Sequence, residues 1–135
     1  MVTLHILEYL KDNGFGTKID KDLFFELLPL GKTGIAIYSR GGERTYGRRR
    51  AVQNFDLYSR GTNNLTGYDN LEKIATFLSD NYDNLCDLPT VPNISNRIYK
   101  KARITTIDNI ENLGIDENDR VVYRLGASII YEKEN

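Results

Sequence analysis

Arg40, Arg44, Arg48, Arg49 and Arg50 crowd into residues 40–50, with Tyr46 among them. A guanidinium pairs bidentately with carboxylate or phosphate and stacks on aromatic rings. Three consecutive arginines are poor core material and repel one another unless partners neutralise them. The stretch therefore reads as a solvated hairpin tip, as a clamp on acidic residues of a neighbouring protein, or as a contact to a phosphate backbone. The sequence holds 18 Lys and Arg against 19 Asp and Glu, whereas a protein that coats nucleic acid carries a basic excess. The balance favours a protein contact over DNA, and Arg40, Arg44, Tyr46, Arg48, Arg49 and Arg50 form the candidate partner-binding set. Gly41, Gly42 and Gly47 add backbone freedom, and Tyr46 is the one apolar anchor, so the stretch is expected to be mobile in a free monomer.

No other residues converge on a chemistry. His5 is the only histidine, and its place in an early helix predicts a surface or capping residue without a nucleophile beside it. Cys86 is the only cysteine, so it forms no internal disulfide and no zinc site with a second thiol; it reads as a small residue at least half buried. Asp116, Asn118 and Arg120 have the spacing of a calcium loop, but the sixth position, where such a loop needs glycine, is Val121. Asp80, Asp83 and Asp87 read as a solvated helix end. Gly14-Phe15-Gly16 lacks the third glycine of a dinucleotide fingerprint, and Gly31-Lys32-Thr33 lacks the upstream glycine of a phosphate loop. The sequence thus predicts no catalytic residues, no metal and no cofactor, and a protein that is not an enzyme.

The elements that hold these residues follow from periodicity. Leu4, Ile6, Leu7 and Leu10 form an apolar stripe with Thr3 as its expected N-cap and Asn13-Gly14 as its stop. Residues 15–30 are apolar without a definite period. Pro29 forbids a central strand there, so an extended segment or a single turn across the sheet is expected. Residues 34–39 read as a strand with Ile35 and Ile37 on one face. Residues 51–59 read as its partner, Phe55 and Leu57 inward and Asn54 and Asp56 outward. The arginine stretch between them is too long for a two-residue turn and predicts a protruding loop.

Leu71, Ile74, Ala75 and Leu78 mark a helix over about 68–80, with Asp69 and Glu72 as a capping-box start. Residues 85–96, with Pro89 and Pro92, read as a loop or edge segment. Residues 97–107 read as a strand with Ile98, Ala102 and Ile104 on one face and Tyr99, Lys101, Arg103 and Thr105 on the other. Residues 116–119 form a turn cluster, and Val121, Tyr123, Leu125, Ala127, Ile129 and Tyr131 alternate as a last strand over 120–131. The fold expected is α+β: a mainly antiparallel sheet flanked by helices on one face, as one domain over 1–135. A 40% apolar and 27% charged composition fits a globular chain and not a disordered one. The first residues lack a signal peptide's basic and apolar regions, and no run reaches a membrane span, so a soluble cytosolic product is expected.

Four stretches carry a resemblance: Asp22-Leu23-Phe24 closing on Leu28-Pro29, Val52-Gln53-Asn54-Phe55 with Arg60-Gly61, Tyr68-Asp69-Asn70-Leu71-Glu72-Lys73-Ile74, and Leu113-Gly114-Ile115-Asp116 with Asp119-Arg120. In this order and spacing, over residues 4–131, the chain resembles the tail-terminator (tail-completion, minor capsid) proteins of long-tailed bacteriophages. The arginine stretch matches no motif of that family. The resemblance implies a structural protein of the virion tail and neck, assembled in the host cytoplasm. It would form a ring of copies, usually six, on the last ring of tail tube protein, stop tube polymerisation, and offer a face to the head or neck connector. Genome DNA would pass through without sequence-specific binding. Ring contacts between identical subunits need two complementary patches. The arginines can supply one, and Asp80, Asp83 and Asp87, or Glu111, Asp116 and Glu117, the other. A head-completion or neck adaptor, which would be more helical, a nucleic-acid-binding module using residues 40–50, and a small enzyme stand as alternatives.

Overall fold

A computed structural model describes residues 2–47, 49–116 and 119–132, with the backbone alone at Tyr46. In chain order the elements are α1 (Val2–Asp12), β1 (Leu23–Phe25), β2 (Gly34–Tyr46), β3 (Arg50–Arg60), α2 (Asn64–Asp80), β4 (Cys86–Leu88), β5 (Tyr99–Thr106), β6 (Glu111–Ile115) and β7 (Val121–Glu132). The strands form one sheet in the order β1-β2-β3-β7-β5-β4. Strand β6 pairs with β7 beyond the end of β5; of the pairs between these strands, β1 with β2 is parallel and the rest are antiparallel. Both helices pack on one face of the sheet. This is the α+β plan that the periodicity predicts.

Alternation builds the covered face. In β3, Ala51, Phe55 and Leu57 turn inward; in β7, Leu125, Ala127, Ile129 and Tyr131 do the same opposite them. The α2 stripe of Leu71, Ile74 and Leu78 closes over them. Its first turn lies against the end of β3, where a Cβ on Gly61 would run into the backbone of Gly67, and Ser59 Oγ donates to the Gly67 carbonyl at 2.8 Å. Helix α2 starts earlier than expected. Asn63 is its N-cap, accepting from Thr66 N at 2.9 Å, while Asp69 lies mid-helix and pairs with Lys73 at 2.9 Å. The first turn escapes the periodicity because it carries no stripe: Leu65 is exposed.

Other expectations need correction. Thr3 lies inside α1, with its hydroxyl 3.3 Å from Ser39 Oγ, and does not cap the helix; Gly14, at φ +86°, ends it as expected. In β5, Tyr99 and not Ile98 faces the core beside Ala102 and Ile104. The cause is a bulge: Lys101 adopts φ +50°, the pairing with both β4 and β7 shifts register there, and one extra residue reverses the parity of everything before it. Part of the 15–30 segment is the edge strand β1. Residues 107–110 leave the sheet, and the chain returns as β6, a strand that no alternation announces because all five residues are exposed. Glu117 and Asn118 of the expected turn cluster lie outside the described residues.

Candidate functional site

The arginine stretch is not a loop for most of its length. Strand β2 runs through it to Tyr46 and β3 resumes at Arg50, with Arg44 opposite Val52 and Tyr46 opposite Arg50. The expectation of a long protruding loop is therefore corrected: the strands stay paired as far as Tyr46 and Arg50, and Gly47 just beyond adopts φ +72°. The surplus length is taken up as a bulge, because four steps from Arg40 to Arg44 face only two from Asn54 to Val52. The bulge is tied down. Gln53, buried, donates from Nε2 to the carbonyls of Gly41 at 3.0 Å and Asn54 at 2.8 Å, and the Tyr131 phenol donates to the Glu43 carboxylate.

This anchoring divides the arginines. Arg40 is committed inside the protein, to Asp56 at 2.6 Å on the face of the sheet away from the helices. Asp56 also takes Arg124 at 2.9 Å, and Arg124 reaches Asp108 at 3.2 Å. Burial opposes the charge on Arg124, but Asp56 and Asp108 outweigh it and raise its pKa. Gly126 makes room for the cluster, since a Cβ there would lie 2.6 Å from Arg40 Nη2 and 2.7 Å from Asp108 Oδ2. Its N–H donates to Asp108 at 2.7 Å. Arg44, Arg49 and Arg50, by contrast, are exposed and have no carboxylate within ion-pair distance among the described residues. Arg48 and the side chain of Tyr46 lie outside those residues.

The acidic candidates divide in the same way. Asp80 and Asp83 are exposed at the end of α2. Asp87 accepts from Lys101 N at 3.1 Å. Asp116 is spent on Arg60, at 2.6 Å, in a nearly buried pair whose guanidinium also donates to the carbonyls of Pro29 and Lys32. Glu111 stands 4.0 Å from Arg124. Among the described residues no three metal-ligating side chains are grouped for a metal ion, and no helix is long and apolar enough to cross a membrane.

His5 overturns its expectation. It is fully buried. Nδ1 lies 2.8 Å from the Pro89 carbonyl, which only accepts, so Nδ1 carries the proton. In the neutral ring Nε2 then accepts from Ser95 Oγ at 2.8 Å. The imidazole meets the Tyr99 ring edge-on at 4.9 Å, and Tyr99 meets Tyr131 at 5.1 Å. Burial of α1 on several sides, including Thr3 and Glu8, explains why a stripe-based reading put His5 outside. Cys86 is half buried as expected, and burial raises its thiol pKa. Burial likewise pushes the neighbouring Tyr9 up to about 12.

Two adjoining clefts open between α2 and the start of β2. One, of about 240 Å³, has Phe15, Ile35 and Ile74 as its apolar lining with Asn70 and Lys73 at the rim. The other, of about 180 Å³, includes Asp22, Gly34 and Thr62. Sequence reasoning did not find the Arg40–Asp56–Arg124–Asp108 cluster. Its members are far apart in sequence and meet only once the β2, β3 and β7 registers are set. No family model matches the sequence, and no curated protein matches it with significance.

Proposed function

We propose that this chain is a structural assembly protein of the tail-terminator kind: a ring of copies, six by the family resemblance, that caps a phage tail tube and presents a face to the head or neck connector. The observation that supports a contact role is the β2–β3 hairpin. It is anchored at its base by Gln53, Glu43 and Arg40, yet carries Arg44, Arg49 and Arg50 without carboxylate partners among the described residues. A fixed display of cations suits recognition of an acidic surface, because little ordering remains to be done on binding. Phosphate is the competing ligand for the same display. Negative-stain imaging of the purified protein, alone and with tail tubes, tests the reading. Rings seated on tube ends are expected, and a protein that forms none and leaves tube length unchanged overturns it. Salt-sensitive DNA binding lost in the Arg49→Ala, Arg50→Ala variant, with assembly unchanged, would instead assign the hairpin to nucleic acid.

A further inference from the structure

Strand registers gather distant cations on the face of the sheet away from the helices. Arg50 of β3 lies opposite Glu132 of β7, which lies opposite Lys100 of β5. In the next row Arg44 of β2 lies opposite Val52, Val52 opposite Ile130, and Ile130 opposite Arg103. Cross-strand partners of this kind share a face and touch. Arg44, Arg50 and Lys100 thus come from three strands. All three are exposed, with no carboxylate within ion-pair distance among the described residues. Lys101 takes Glu132 at 3.3 Å, and Arg103 sets its guanidinium over the Tyr82 ring at 4.9 Å.

Charge at this end is lopsided even with every described carboxylate counted, bonded or not. Arg44, Arg49, Arg50, Arg97, Lys100 and Lys101 stand against Glu43, Asp87 and Glu132, six cations to three anions in a chain of net charge -1. The excess has a border. Farther along the same face Arg40 and Arg124 meet Asp56, Asp108 and Glu111, and the charge there is spent within the fold. The end is also tied together. Arg97 lies 5.8 Å from the buried Tyr99 ring, Tyr99 meets buried Tyr131, and Tyr131 donates to Glu43 in the hairpin bulge. The β2–β3 hairpin and the approach to β5 are therefore one support.

We propose that this end of the open sheet face, and not the hairpin turn alone, is the contact surface, and that it takes a carboxylate-rich protein surface. The inference rests on the assembly reading and says where its contact lies. Two features favour protein over a phosphate backbone. Glu132 stands between Arg50 and Lys100, where it repels a phosphate, while a protein surface can set a donor against it. The next row places buried Val52 and half-buried Ile130 between Arg44 and Arg103, the arrangement of an apolar centre with a charged rim.

The test is binding of labelled poly-L-glutamate, with a short DNA duplex as the competing probe, followed by anisotropy at several salt concentrations. Salt-sensitive binding to polyglutamate is expected. Lys100→Glu, far from the hairpin in sequence, is expected to weaken it about tenfold, as Arg44→Glu does. Should the reversal fail to fold beside Glu132, Lys100→Gln is expected to show a smaller loss in the same direction. An effect of Arg44→Glu with none at Lys100 would confine the contact to the hairpin and overturn the composite surface. Tighter binding of the duplex would overturn the partner class, and no binding of either probe would overturn the surface. Rings that seat normally on tube ends with Lys100→Glu would overturn the contact and leave the ring reading standing. Polyglutamate bound through Lys100 by a protein that forms no rings would uphold the surface and overturn the ring reading.

Discussion

Along β3, Phe55, Leu57 and Ser59 turn toward the helices, while Asn54, Asp56 and Tyr58 turn away. The first set meets α2 and the inward residues of β7. The second meets Arg40, Arg124 and the Tyr38 ring, 4.6 Å from that of Tyr58. One strand thus belongs to two environments. The covered face is held by apolar burial, about 1.5–3 kcal/mol for each fully buried large side chain. The uncovered face is held by a charge cluster with one member, Arg40, still 41% exposed, and pairs in contact with water are worth under about 1 kcal/mol each. The covered face supplies stability, and the uncovered one supplies order in the β2 hairpin at small thermodynamic return.

Four substitutions probe that division, the most damaging first. Phe55→Ala leaves a cavity under α2 and is expected to cost about 3–5 kcal/mol in urea unfolding. Asp56→Ala leaves two guanidinium groups facing one another and is expected to cost about 2 kcal/mol. A loss equal to that of Phe55→Ala would make the uncovered face a second core and erase the distinction. Asp22→Asn lies at the β1 edge. Burial raises the Asp22 pKa, but the N–H groups of Lys18 and Thr17 and the Thr17 hydroxyl outweigh it and bring the value below normal. A carboxyl whose folded pKa is below its unfolded one stabilises fully above the unfolded value, and that contribution disappears as pH falls through the folded value. The variant should therefore lose about 1 kcal/mol at neutral pH, and the gap should close in melts as pH falls through and below the ordinary carboxylate range. Changing Arg48, Arg49 and Arg50 together to alanine should shift stability by less than about 0.5 kcal/mol while weakening assembly, read by sedimentation and imaging. Unchanged assembly would make the hairpin tip a solvated turn.

Periodicity recovers what burial contrast writes into the sequence. Strand β7 and the α2 stripe are legible because inward and outward positions differ sharply in polarity. Strand β6 is illegible for the opposite reason, as none of its five residues is buried. The inversion at Tyr99 hangs on a single backbone angle at Lys101, which no side-chain pattern encodes. The arginine stretch was visible as composition, but its division into Arg40, bound within the fold, and Arg44, Arg49 and Arg50, without ion pairs among the described residues, depends on registers set by distant strands. The charge cluster around Gly126 was invisible for the same reason.

The His5 clamp has a consequence for the order in which the chain can fold. Its ring is held by Pro89 and Ser95, 84 and 90 residues later in the sequence. During synthesis α1 is made first but must wait for most of the chain before its histidine finds these partners. Until then α1 can rest on β1 and β2, but its side toward β4 has no partner, and such long-range closures come late and slowly. A ribosome-bound intermediate ending before residue 95 should leave α1 open to protease, and full-length chain should protect it. The clamp ties the final seating of the first helix to the arrival of the segment between β4 and β5.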